Sequence, residues 1–214
     1  MDFFEVVRSR RSCREFRDKP VSGKDIETCL EAARRAPSGT NSQPWRFLVA
    51  RKPEIRAALA EAGFNQPCLK QAPVITVLLG DRSVYKKRLR RAKELADLGA
   101  LTDDTLQTLE KRYQDASGAP REANDLAIRL NCMLAGEHYV LAAAALELGC
   151  CWVMMFDPAK VSEALGLEPK YNFPVALLPT GYPAGEAAPP RPRYSISDIA
   201  WNDEAGRPWM AGNA

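Results

Sequence analysis

Apolar positions along the chain follow two periods, and the places where one gives way to the other mark its elements. Asp2 is placed to cap a first helix carrying Phe3, Phe4, Val6 and Val7. Ser22 with Asp25 makes a capping-box-like start for a second helix. Its Ile26, Cys29, Leu30 and Ala33 recur at helical spacing, and Pro37 follows its end. "RFLVA" reads as a short strand. Pro53 suits the first turn of another helix, closing at Gly63. "PVITVLLGD" is apolar almost throughout, the pattern of a strand buried on both faces.

From Ser83 to about Arg121 the chain becomes charged, helical in propensity and poor in core residues. This predicts a helical excursion, about 84–120, acting as a lid or an interface arm. A long helix is predicted from about Glu122 to Leu148, with Leu126, Leu130, Met133, Leu134, Leu141 and Leu148 as its apolar stripe and Gly149 as its stop. "CCWVMMF" reads as a buried strand, Asp157-Pro158 as the start of a helix ending near Gly166, and "FPVALLPTGYP" as a further strand. Helices and strands in this order predict an α+β or three-layer α/β arrangement. Residues 1–183 read as one domain and 184–214 as a Pro-rich C-terminal extension. Trp201 and Trp209 suit that extension to an apolar surface, a second subunit first of all.

Composition narrows the function classes. Thirty basic against 27 acidic residues give a formal charge of +3, too balanced to argue for nucleic acid. The six cysteines form no C-x-x-C pair and His138 is the single histidine, so a metal site or a Cys-His nucleophile lacks partners. Scattered thiols suit a reducing compartment, and no run approaches membrane-spanning length; both point to a cytoplasmic protein. No strand is followed by a G-x-G-x-x-G or P-loop pattern.

Two stretches carry candidate chemistry. "RSRRSCREF" gathers Arg8, Arg10, Arg11 and Arg14 around Ser12. Arginine forks and a hydroxyl suit a phosphate, although a solvated helix end reads the same way. Arg191 and Arg193 lie on a Pro-rich segment that can return to the same anion. "RAPSGTNSQPWRFLVA" crowds Ser38, Thr40, Asn41, Ser42 and Gln43 between two prolines; neutral amides and hydroxyls read a flat polar ring well. FMN carries both a phosphate and such a ring. The basic run "KKRLRRAKE" closes on Glu94, with Asp97 just beyond and no interleaved aromatics, and so reads as a solvated helix face.

The chain resembles the FMN-dependent nitroreductase family in "RRSCREF", "APSGTNSQPWRF", "LGCCWVMMFDPAKV" and "VALLPTGYPAGEAAPPRPR", four motifs in the family's order spanning nearly the whole chain. The resemblance implies a nitroreductase-like three-layer α/β/α sandwich with a mixed central sheet. It implies a homodimer formed through long helices, with tails wrapped around the partner and FMN sites built from both subunits. Arg10, Arg11, Ser12 and Arg14 would bind phosphate, ribityl chain and pyrimidine edge, with Arg191 and Arg193 returning to the phosphate. Pro37, Ser38, Gly39 and Asn41 of the other subunit would line the ring side. Hydride would pass from NADH or NADPH through the flavin to a nitroaromatic, quinone or related small acceptor, with no catalytic side chain required.

One departure stands out. Val153, Met154 and Met155 occupy the stretch whose backbone faces flavin N5 or O4 in the family, where many members have a Gly pair. Met154 and Met155 add soft apolar bulk there, unless their side chains enter the core, as strand alternation predicts for at least one. Reductive dehalogenation or flavin fragmentation on the same fold stays open, as does a non-catalytic flavin- or nucleic-acid-binding module. Trp45, Cys150 and Cys151 read as core and His138 as structural. In the excursion Tyr85, Arg112 and Tyr113 are candidate substrate contacts, and the sequence does not choose among them.

Overall fold

The computed structural model describes residues 2–115, 121–185 and 191–210. At its centre lies a sheet of β1 (Trp45–Ala50), β2 (Val74–Asp81), β3 (Gly149–Cys150) and β4 (Asn172–Gly181), in the order β1-β2-β4-β3. All three ladders of the sheet are antiparallel, and an isolated parallel bridge outside it joins Ser12 to Cys150. The central β2 is buried at every position, as its nearly all-apolar run predicts.

Alternation along β2 divides the core in two. Val74 and Leu78 pack with Ile26 and Cys29 of α2 (Gly23–Arg34) and with Ile128, Cys132 and Tyr139 of α7 (Arg121–Ala145). Ile75, Val77 and Leu79 pack on the other side with Leu59 of α3 (Pro53–Ala62), Leu69 of α4 (Pro67–Gln71) and Val161 of α8 (Pro158–Ala164). The result is an α/β/α sandwich. Trp45, Cys150 and Cys151 are core, as their sequence contexts predict. The Tyr139 hydroxyl is satisfied inside the first core by Thr76 Oγ1 at 2.9 Å and Thr180 Oγ1 at 3.3 Å.

Local signals set the helix starts. Asp2 and Glu5 form a reciprocal capping box on α1 (Phe3–Ser9), with bonds of 3.0 and 3.1 Å. Ser22 Oγ accepts from Asp25 N at 3.0 Å, and Asp157 Oδ1 accepts from the amides of Ala159 and Lys160. Gly166, with φ +60°, ends the segment that α8 opens.

The structure corrects three expectations. The long helix ends at Ala145 rather than Leu148. Glu147 takes the left-handed turn (φ +60°), and Leu148 N closes back on Ala143 O at 2.9 Å. Gly149 serves close approach instead: a Cβ there would stand 2.5 Å from Cys13 Sγ. The stripe of Leu126, Leu130 and Leu134 is exposed, and α7 buries its smaller face of Ile128, Cys132, Ala135, Gly136, Tyr139 and Ala143 instead. Small residues let the helix lie close on the sheet and on α2, which leaves the large leucines outside. "CCWVMMF" is a strand only at its first residue and then follows β4 irregularly, through a bridge between Val153 and Leu177.

The excursion is a helical hairpin, α5 (Val84–Asp97) and α6 (Asp103–Asp115), turning at Gly99 with φ +71°. Its basic run is largely engaged within the hairpin: Arg90 and Arg91 pair with Glu94, Lys93 with Glu110, and Lys87 with the Ser83 hydroxyl. No described helix is long and apolar enough to cross a membrane. Among the exposed apolar side chains are Phe3, Phe4 and Val7 on α1, Leu126, Leu130 and Leu134 on α7, and Trp201 and Trp209 in the tail. The tail holds a short helix, α9 (Ile196–Ile199), and a bridge from Trp201 to Pro208.

Candidate functional site

The arginine segment and the C-terminal extension meet around a cavity of about 440 Å³. Arg10, Arg11, Ser12, Arg14 and Arg191 line it. The four arginines outnumber its two glutamates, Glu15 and Glu147. Backbone pairing fixes this wall: Cys13 N donates to Cys150 O at 3.0 Å, and Ala184 N to Glu15 O at 3.0 Å. Arg11 Nη1 is held by the carbonyls of Arg8 and Arg10, at 2.5 and 2.9 Å, where α1 ends. Its Nε is buried without a hydrogen-bond partner among the described residues. An arginine fork fixed by backbone, with a dry donor to spare, is built for an anion. Arg10 approaches Glu137 at 4.0 Å, and Glu137 also accepts from Trp152 Nε1 at 3.2 Å.

The polar loop lies elsewhere in the chain. Thr40, Asn41 and Gln43 all take left-handed backbone, at φ 49°, 50° and 46°. None is glycine, so each costs about 1 kcal/mol or more and persists only where its surroundings enforce it. Several bonds enforce it here. Ser38 Oγ accepts from Gln43 N at 2.9 Å, and Asn131 Oδ1 of α7 accepts from Gly39 N at 3.0 Å. Arg91 Nε donates to Asn41 O at 3.2 Å, and Tyr113 Oη donates to Thr40 Oγ1 at 2.8 Å. A second cavity, of about 400 Å³, opens between this loop, α6 and α7. It shares no lining residue with the arginine cavity.

Met154 and Met155 are 61% and 66% exposed. The expectation that at least one enters the core fails, because the segment leaves regular strand geometry after Cys150, and there Cys151 and Val153 turn inward while both methionines do not. Gln66 Nε2 holds Met155 O at 3.0 Å. Neither methionine N–H has a partner among the described residues.

The thiols sort by environment. Burial pushes Cys29, Cys132 and Cys150 up to about 12. A hydrogen bond from Cys151 lowers Cys68 to about 7 and raises Cys151 in return. Cys13, half-buried in the arginine wall, is raised by burial. His138 Nδ1 pairs with Leu134 O at 2.9 Å within its own helix.

Within one chain, then, Arg10, Arg11, Ser12, Arg14 and Arg191 converge. Pro37, Ser38, Gly39 and Asn41 sit on a separate loop. Arg193 is exposed in the tail, with Nη1 on Pro192 O at 3.3 Å. Val153, Met154 and Met155 line neither cavity. Of the excursion candidates, Arg112 and Tyr113 line the second cavity, while the Tyr85 side chain lies outside the described residues. Sequence reading missed Asn131 and Glu137, since a lone polar residue inside a helix carries no local signal for the contact it makes.

The Nitroreductase family model matches residues 7–182. A Thermus thermophilus protein named NADH dehydrogenase is 35% identical over 189 residues, covering 88% of this chain and 90% of its own. The oxygen-insensitive NADPH nitroreductase of Helicobacter pylori is 25% identical over 214 residues, covering 92% and 95%. A crystal structure from Exiguobacterium sibiricum, solved in complex with FMN, superposes with a TM-score of 0.80 at 28% identity, covering 94% of this chain and 98% of that one. With a family model spanning most of the chain and the fold shared end to end, the protein belongs to the nitroreductase family.

Proposed function

We infer that the protein is an FMN-dependent oxidoreductase that uses NADH or NADPH to reduce a small acceptor such as a nitroaromatic or quinone. The observation that carries this is the buried, unpartnered Arg11 Nε in a cavity walled by Arg10, Ser12, Arg14 and Arg191. In this reading Arg11 and Arg14 hold the phosphate, with Arg191 closing from the tail. Ser12 and Arg10 take the ribityl chain and pyrimidine edge. The unpaired amides of Met154 and Met155 donate to the ring edge, which a methionine backbone does as well as a glycine backbone. Bound FMN supplies the two-electron carrier between nucleotide and acceptor.

The polar loop completes the site from a second copy. Pro37, Ser38, Gly39 and Asn41 do not line the arginine cavity of their own chain. The exposed leucines of α7, the phenylalanines of α1 and the tryptophans of the tail are the apolar faces such a dimer covers. Residues 1–183 form the cofactor-binding domain, and 184–214 is an arm that packs on the partner.

The test is direct. Protein supplemented with FMN and dialysed retains one flavin per chain. NADH or NADPH bleaches that flavin anaerobically, and a quinone or nitroaromatic restores it. A flavin that stays oxidised for minutes with both nucleotides overturns the assignment. The relatives' names include both an NADH and an NADPH enzyme, so comparing the two bleaching rates settles the reductant.

A further inference from the structure

The second cavity lies between the polar loop and the excursion, and it is the one place where the excursion candidates can be separated. Tyr113 is fully engaged: its hydroxyl binds Thr40, its ring lies under Arg88 at 4.4 Å, and its carbonyl accepts from Arg88. Arg91 holds Asn41 O and Glu94. Arg112, which also lines the cavity, has neither a hydrogen bond nor an ion pair among the described residues. Among the described residues no carboxylate lines this cavity, whose charged members are Arg88 and Arg112. Asp81 is neutralised by Arg46, Asp125 by Arg82, and Glu110 by Lys93. The remaining wall combines hydroxyls and amides (Thr40, Ser42, Asn131) with the apolar Leu109 and Ile128.

A free guanidinium at the rim of a half-apolar cavity of about 400 Å³ has the chemistry of a site for a ring compound bearing a carboxylate. The volume suits one ring system and not a whole dinucleotide. Because Gly39, Thr40 and Ser42 form one wall, an occupant lies beside the loop assigned to the ring side of the cofactor. We propose that the cavity beneath the excursion is the acceptor site and that Arg112 makes it selective for anionic aromatic acceptors. This rests on the oxidoreductase reading and names the substrate class for it. Arg112 is a specificity residue: it binds the acceptor's carboxylate, while Tyr113 and Arg88 hold the wall that carries it.

The test compares para-nitrobenzoate with its neutral isostere para-nitrobenzamide on the FMN-loaded enzyme. Reoxidation of the pre-reduced flavin is followed by stopped flow in wild type, Arg112→Ala and Arg112→Lys. Arg112→Ala is expected to lose about tenfold more on the benzoate than on the benzamide, at the low end for a charge-assisted bond because the arginine is exposed, and Arg112→Lys to recover part of it. Calorimetric titration of the oxidised enzyme with para-nitrobenzoate reads binding without turnover, and the same variant should weaken it by a similar factor. Equal losses on both acceptors, no loss on either, or a loss confined to flavin reduction by NADH or NADPH each overturn the proposal. If the flavin is never reduced but the benzoate still binds through Arg112, the oxidoreductase reading fails while the anion site stands. If nothing binds, the site fails independently of the chemistry.

Discussion

Tyr113 Oη donates to Thr40 Oγ1 at 2.8 Å, tying the second helix of the excursion to a loop residue 73 positions earlier. That bond helps keep Thr40 in left-handed backbone. Tyr113→Phe should therefore loosen the loop locally rather than unfold the protein. At a net worth of about 0.5–1.5 kcal/mol, the amides around the loop should exchange with deuterium roughly twofold to tenfold faster. Unchanged exchange there would show that the loop holds its shape without the excursion.

The fixed fork of Arg11 makes a prediction about cofactor affinity. Arg11→Ala should raise the FMN dissociation constant at least about tenfold, the loss of a charge-assisted bond to a dry donor. Arg11→Lys should fall between, since an ammonium keeps the charge but not the planar fork. Flavin fluorescence quenching reads both. Full FMN occupancy of the alanine variant after long dialysis would remove Arg11 from the site, and the same experiment on Arg14→Ala tests its neighbour.

Cys13 is the half-buried thiol and the other five are buried. Iodoacetamide under native conditions should modify Cys13 first. The reaction should be slower at about pH 8 than for free cysteine, because burial raises its ionisation. Added FMN should slow it further, since Cys13 borders the arginine cavity. Peptide mapping by mass spectrometry checks this; labelling insensitive to FMN would place the cofactor elsewhere.

Tyr139 joins two threonines across the first core. Tyr139→Phe keeps the ring packing and strands the Thr76 hydroxyl, so a loss of about 1–3 kcal/mol is expected in urea unfolding. The pH dependence has a definite sign. Burial raises the Tyr139 phenol above its ordinary value, so the native state holds its proton more tightly than the unfolded chain. This contribution is complete below the unfolded value of about 10 and declines as pH rises above it. Wild type should lose stability with alkali more steeply than Tyr139→Phe.

Leu130 is 62% exposed in the middle of the α7 stripe. On the proposed dimer through α7, Leu130→Glu should leave the far-ultraviolet circular dichroism of the chain intact, shift light scattering to a monomer, and release FMN. A variant that stays dimeric would move the subunit interface off α7. A monomer that retains FMN would show that one chain holds the cofactor alone.

Much of this protein is written locally. Ser22 and Asp157 mark helix starts because their side chains satisfy amides two or three residues away, and Pro53 marks one because its fixed φ and missing N–H suit the first turn. The nearly all-apolar run of β2 announces its central position, and Arg10, Arg11, Ser12 and Arg14 share a wall because they are neighbours in sequence. Periodicity shows that α7 has an apolar stripe but not which way it faces. Leu126, Leu130 and Leu134 turn outward because the face carrying Ile128, Cys132, Ala135, Gly136 and Tyr139 packs on the sheet and α2, with Gly136 allowing the close approach of Trp152 and Leu78, and that packing belongs to the whole sandwich.

The chain's order of residues thus determined the elements, their caps and the arginine segment, all of which depend on contacts within a few positions. Tertiary structure alone decided three further things. It placed Glu147 rather than Gly149 at the turn after α7, because Gly149 is needed where Cys13 crosses. It orphaned Arg11 Nε inside a cavity closed by Arg191 from the far end of the chain. It also spent Tyr113 on Thr40 while leaving Arg112 without a partner among the described residues, a choice made by the packing of the excursion on a loop more than seventy residues away.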